Sequence, residues 1–268
     1  MHERTLIVYP DPRLLAQAVA ARTLLTLNEV LGTPGRDRAD IAVTGGTDGT
    51  AILESMASSA LLDIVDWSRV HVWWGDERFV AADSDERNDR AARAALFDAL
   101  IAEGRMGDAQ IHAMPADDRS AEARAHATAH DDGEALEHAA ARYQQELLHE
   151  LGEAAAMDLM MFGVGPDGHF ASLFPGRPQL GLDGDDVLVT GVQDSPKPPP
   201  LRLTMTVPMI ARSARVWMCG SRPGKAEAMA HTFLRMCDTA FPGSFADATH
   251  EVLWICDEDS AARIRQRQ

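Results

Sequence analysis

The sequence predicts a doubly wound α/β fold, a Rossmann-like, mainly parallel sheet with helices on both faces, and three observations point there. Short β-rich runs alternate with longer Ala/Leu-rich stretches of helical period. Several runs are apolar without alternation, as expected of strands covered by helices on both sides. The glycine-rich and charged loops follow strands directly, where open α/β sheets bind their ligands.

In chain order the strands are expected at 5–9, 41–44, 70–74, 110–114, 157–162, 187–192, 201–206, 216–219 and 252–256. The helices are expected at 11–31, 49–62, 88–103, 119–151, 207–213, 223–237 and 258–267. The first strand ends where Pro10 and Asp11 follow its apolar run. The second leads through Gly45 and Gly46 into a helix, and the third is the most aromatic, closing on Trp73 and Trp74. Segment 119–142 is rich in Ala and His but reads as helix, with a break expected near Asp131-Asp132-Gly133. The Pro/Gly-rich stretches 174–184 and 195–200 are loops and not linkers, because apolar strands resume after each. The expectation is therefore one domain over residues 1–268, with a small lid formed by the middle helices.

The 268 residues include 25 basic and 41 acidic side chains, a formal charge of −16. Such a surface repels nucleic acid and anionic lipid, so neither is an expected partner. It also repels phosphorylated metabolites at long range, so a substrate of that kind needs a local cluster of cations and backbone N–H groups. Cys219, Cys237 and Cys256 form no CxxC pair, which fits a reducing compartment and neither a disulfide framework nor a zinc site. The N-terminal apolar run, residues 6–9, is shorter than a signal peptide requires, and a cytoplasmic location is expected. A monomer or small homo-oligomer is expected.

Four loops carry the chemistry. Thr44-Gly45-Gly46-Thr47-Asp48-Gly49-Thr50 is either a phosphate cradle at a helix start or a plain capped turn. Trp74-Gly75-Asp76-Glu77-Arg78 puts two carboxylates and a guanidinium at a strand end, as site residues or as a surface ion pair. The third is Gly163-Val164-Gly165-Pro166-Asp167-Gly168-His169-Phe170-Ala171-Ser172-Leu173-Phe174-Pro175. It satisfies GxGxxG formally, but Pro175 stops any helix after about one turn and no acidic residue follows a second strand at the right distance. What remains is a tight turn presenting Asp167 and His169, and an imidazole there is suited to general-base work. In the fourth region Arg202 follows a proline run, and Gly220-Ser221-Arg222-Pro223-Gly224-Lys225 falls one residue short of a Walker loop, leaving Lys225 as a point charge for phosphate. His126 and His130 have metal spacing on a helix but belong to a solvated face. His2, His71, His112, His138, His149, His231 and His250 have no partner pattern.

Together these blocks resemble the 6-phosphogluconolactonase family: TGGTDGT, VHVWWGDERFV, the downstream Asn88, MDLMMFGVGPDGHFASLFPG, PPPLRLTMT and the late GK, in order over most of the chain. Two departures stand out: Thr47-Asp48-Gly49 replaces the family's usual Ser-Thr-Pro, and Arg87 stands where a Ser usually precedes the asparagine. The resemblance implies hydrolysis of 6-phospho-D-glucono-1,5-lactone without cofactor or metal. It implies His169 as base, Asp167 as its orienter, and Arg78 on the oxyanion or the phosphate. Gly45, Gly46, Thr47, Arg202 and Lys225 would hold the phosphate, with Asp76, Asn88 and Gly168 completing the site. Glucosamine-6-phosphate deaminases are similar in fold, but there the residue corresponding to Arg78 is typically aromatic. The alternatives are such a deaminase or isomerase, with Asp76 as base, and a non-catalytic sugar-phosphate sensor.

Overall fold

The structure, a computed structural model, describes residues 3–266; His2 and the end of the helix expected at 258–267 lie outside the described residues. The strands are β1 (Arg4–Tyr9), β2 (Ala39–Val43), β3 (Val70–Trp74), β4 (Asp76–Arg78), β5 (Ile111–His112), β6 (Leu159–Gly163), β7 (Val189–Val192), β8 (Arg202–Met205), β9 (Arg215–Gly220) and β10 (Glu251–Asp257). The helices are α1 (Pro12–Gly32), α2 (Gly46–Ala57), α3 (Asn88–Ala92), α4 (Asp98–Ala102), α5 (Ala121–His126), α6 (Ala129–Leu151), α7 (Val207–Ala211), α8 (Ala226–Leu234) and α9 (Glu258–Arg265). Seven strands form one sheet in the order β1-β10-β9-β6-β2-β3-β5. Every neighbouring pair in it is parallel.

This is the expected doubly wound sheet, with one addition. Strands β7 and β8 lie outside it: β8 is the middle strand of a second, three-stranded antiparallel sheet, paired with β4 on one side and β7 on the other. The charged segment expected as a loop after strand 70–74 is itself a short strand. The run 70–78 breaks at Gly75, where a Cβ would come within 2.4 Å of the Phe162 ring, and continues as β4 into the small sheet.

The helix starts follow local capping chemistry. Asp11 accepts from the Leu14 amide at 2.8 Å and Pro12 opens α1, an arrangement that satisfies an orphan donor and presets φ. The expected 119–151 helix is two helices. It breaks at Ala127-Thr128 and not at 131–133, because Thr128 and Asp131 form a capping box that starts α6. The expected 88–103 helix opens into a π-helical turn, Arg93–Phe97, between α3 and α4. Helix α1 has the length and mean hydropathy, 1.2, of a membrane-crossing helix. In the fold, Leu15, Val19, Leu24 and Leu27 on it are buried in the core.

Helix α6 reaches both sheets through Leu136, Ala140, Tyr143 and Leu147. Tyr143 is fully buried; its hydroxyl accepts from the Trp74 amide at 3.1 Å and lies 3.1 Å from the His112 carbonyl, to which it donates. Removing that oxygen strands a buried acceptor and a buried donor. Tyr143→Phe is expected to destabilise the fold by ~1–3 kcal/mol, read as a Tm lowered by roughly 2–10 °C at this chain length.

Candidate active site

The chain reverses its winding at β2 and β6. From β2 it proceeds outward through β3 to β5; from β6 it proceeds the other way through β9 to β10. Loops leaving β2 and β6 diverge, and the crevice between them is where such sheets bind ligands.

On the β2 side, α2 begins at Gly46, three residues before the expected start. The two glycines are required there for different reasons. Gly46 has φ +75°, in the left-handed region, and a Cβ on Gly45 would lie 1.9 Å from Asn88 Oδ1. Asn88 is buried and donates to the Asp76 carbonyl at 3.1 Å, so it closes over the loop while the first-turn amides of α2 remain open to an anion. Asp48, the departure from the family pattern, is not a bare charge in this cradle. Its buried carboxylate accepts from Ser221 Oγ at 2.6 Å, Lys225 Nζ at 2.8 Å and Arg222 Nη1 at 3.2 Å. Burial disfavours its charge, but Lys225 and its other partners outweigh that and hold the carboxyl below its ordinary 3.8. Lys225 is thereby docked against the α2 N-terminus, 177 residues away in sequence.

On the β6 side the expected glycine-rich turn is present: residues 164–177 make successive tight turns, and no dinucleotide-binding helix follows the strand. The Gly165 amide donates to the His169 carbonyl at 2.9 Å, and a Cβ on Gly165 would sit 2.0 Å from the imidazole. Gly168, with φ +79°, is packed under Phe241. His169 Nδ1 lies 2.5 Å from Asp167 Oδ1, and the ring leans on Phe174 at a centroid distance of 4.6 Å. Lys197 Nζ donates to the same Asp167 oxygen at 3.2 Å. Burial works against the Asp167 charge, yet the His169 hydrogen bond and Lys197 hold its carboxyl well below the carboxylate range.

Strand β4 supplies the third wall. The buried Asp76 accepts from Ser172 Oγ at 2.7 Å, which ties the turn to the small sheet. Glu77 faces away from the crevice. Its carboxylate caps α3, accepting from the amides of Asn88 at 2.7 Å and Asp89 at 2.9 Å, and burial pushes it up to about 7 against the pull of Arg87. The second family departure, Arg87, is explained here: it is buried, chelates Asp89 at 2.8 and 3.1 Å and donates to the Met114 carbonyl at 2.7 Å. Arg78 donates to the Glu86 carbonyl at 2.6 Å, and the guanidinium lines the crevice.

Of the residues expected at the site, Gly45, Gly46, Thr47, Asp76, Arg78, Asn88, His169, Arg202 and Lys225 line one cavity of about 200 Å³. Asp167 and Gly168 stand directly behind it, shaping the turn. Arg202 differs from the expectation of a free phosphate ligand. It is buried, and it donates to the carbonyls of Pro199 at 2.9 Å, Pro198 at 3.0 Å and Lys197 at 3.2 Å, so most of its donors fasten the proline loop. That loop delivers Lys197, the cation the sequence reading missed; its only signal was a lone basic residue with prolines on both sides.

The family model for glucosamine-6-phosphate isomerases/6-phosphogluconolactonase matches residues 10–254. A Streptomyces coelicolor 6-phosphogluconolactonase is 34% identical over 264 residues, 97% of this chain and 94% of that protein. The chain belongs to this family. The 6-phosphogluconolactonase of Mycobacterium tuberculosis is 36% identical over 260 residues, 96% of this chain and 97% of the relative. The fold agrees: a solved Trypanosoma brucei 6-phosphogluconolactonase matches with a TM-score of 0.82 at 22% identity, covering 98% of this chain and 100% of that one.

Asp48→Asn leaves Lys225 and Arg222 without their buried counter-charge, and is expected to cost ~3 kcal/mol in chemical denaturation, breaking a buried pair. The folded chain keeps Asp48 ionised at pH values where the unfolded chain already binds a proton. Its stabilisation is therefore complete above about pH 4 and fades as the medium becomes more acidic. Melting curves between pH 3 and 6 should give a shallower acid-side loss for Asp48→Asn than for the wild type.

Proposed function

We propose that this chain hydrolyses 6-phospho-D-glucono-1,5-lactone to 6-phospho-D-gluconate, the ring-opening step of the oxidative pentose phosphate pathway. The observation that carries the reading is the His169–Asp167 pair, 2.5 Å apart, at the wall of a small crevice rich in cations and helix amides. The end-to-end similarity to proteins named 6-phosphogluconolactonase supports the choice of substrate.

A lactone is already an activated acyl group, so addition of water is the demanding step. With Asp167 ionised, the imidazole proton rests on Nδ1 and leaves Nε2 to accept. Nε2 takes a proton as the water oxygen bonds to C1, and the carbonyl oxygen gathers the negative charge. Arg78 and nearby backbone N–H groups stabilise that oxyanion. Collapse breaks the bond from C1 to the ring oxygen, and His169 returns its proton to that oxygen as it becomes a hydroxyl. The product acid then ionises. The imidazolium formed midway is stabilised by Asp167, whose carboxylate Lys197 in turn keeps anionic.

The phosphate end is assigned to Gly45, Gly46 and Thr47 at the α2 N-terminus together with Lys225; Arg202 contributes by holding the loop of Lys197. Asp76 and Asn88 set the loops against each other and offer polar atoms to the sugar. We read the chain as one domain acting as a monomer or a small homo-oligomer. The three free thiols, two of them buried, suit a cytoplasmic enzyme.

His169→Ala is expected to lower the enzymatic rate above spontaneous opening by roughly 10²–10⁴-fold, the general-base contribution, with the fold retained. The check is acid release from freshly generated lactone at a pH where spontaneous opening is slow. Near-wild-type turnover in His169→Ala would overturn the assignment. Ammonia release from glucosamine 6-phosphate without lactone hydrolysis would replace the function with that of a deaminase.

A further inference from the structure

We propose that the chain carries a second, structural site for one zinc ion, built from His71, His112 and Glu150 at the edge of the large sheet. The donor atoms of these three side chains lie within 4.8 Å of one another. Bonds of about 2.0–2.2 Å to imidazole nitrogen and carboxylate oxygen close that span with small side-chain rotations. Two imidazoles and a carboxylate, with a fourth position left to water, are a donor set that suits zinc.

The surroundings are organised as a ligand's second sphere and not as a chance cluster. His71 Nδ1 and His112 Nε2 face each other at 2.9 Å, a contact that a bound cation would replace. His112 turns its other nitrogen, Nδ1, to the Glu146 carboxylate at 2.7 Å. A carboxylate on the far nitrogen fixes the tautomer and raises the basicity of the nitrogen that faces the metal. The ring plane is set by Trp73, stacked on His112 at 3.8 Å and 7°. Local charge also favours a cation: Glu146, Glu150 and Asp40 outnumber Arg38, which chelates Asp40 and donates to one oxygen of Glu150 at 2.8 Å.

The position argues for a structural role. His71 pairs in register with Asp40 near the start of β2 and β3, whereas the crevice lies beyond their far ends. His112 is on β5, the edge strand, which contributes only two residues to the sheet, and Glu146 and Glu150 are on the last turns of α6. An ion there pins a short edge strand to a helix that also carries the small sheet. The site does not depend on the reaction proposed above.

The test uses the full-length protein, stripped of metal by dialysis and titrated with zinc chloride against a chromophoric chelator, with metal content and Tm measured in parallel. One zinc per chain is expected, with a Tm that rises on loading. His71 is partly exposed, so His71→Ala should fold; it should lose stoichiometric binding and the rise in Tm. Glu146→Gln keeps all three ligands and should weaken binding roughly 10–100-fold, the effect of losing an outer-sphere carboxylate. His169→Ala should bind zinc as the wild type does. Absence of stoichiometric zinc, unchanged affinity in both His71→Ala and Glu146→Gln, or loss of binding in His169→Ala alone would each overturn the proposal.

Discussion

Strands β2 and β6 share only two register pairs, Ile41 with Leu159 and Ala42 with Met160, and the crevice depends on that contact. It joins the half of the sheet that winds one way to the half that winds the other, so the loops beyond it cannot pack on each other. Everything polar in the crevice hangs from those loops. The Gly45 loop continues β2 and the His169 turn continues β6. Gly163 donates its amide to Thr44 Oγ1 at 3.3 Å, a direct tie between the two loop bases.

A chain with a net charge of −16 has to concentrate positive charge locally before it can hold an anion. The fold does this by giving its crevice cations carboxylate or carbonyl partners within the protein. Lys225 is set by Asp48, Lys197 by Asp167, Arg78 by a carbonyl, and Arg202 by three carbonyls. Each partner orders a long, entropically costly side chain in advance, so less is lost when a ligand arrives. The same acidic composition that repels anions at a distance supplies two of these anchors. Asp48 is the clearest case: read along the chain it is a misplaced negative charge, while in space it is the post that holds two cations.

Much of the fold was legible because its signals are local. Apolar runs such as 70–74 and 252–256 gave strands in nearly the expected places, and Thr206 before Val207-Pro208 started a helix where one was expected. The His169 turn was legible for the same reason, since Gly165, Pro166 and Gly168 restrict the backbone whatever surrounds them. The departures arose where a distant partner decided. Gly75 leaves room for the Phe162 ring where the strand breaks, Asn88 closes over Gly45 at the early start of α2, and β8 pairs with β4 and β7 outside the main sheet.

The sequence by itself determined the order of strands and helices, the tight turn around His169, and the surplus of acid. These depend on side-chain volume, on φ restricted at glycine and proline, and on counted charge, all properties of neighbours along the chain. Only the tertiary structure decided which charges meet. Lys197 reaches Asp167 across 30 residues, Lys225 reaches Asp48 across 177, and His71 meets His112 across 41. No local rule specifies such pairs, because an electrostatic partner is chosen by distance in space and by burial, and both exist only once the sheet has closed on its helices.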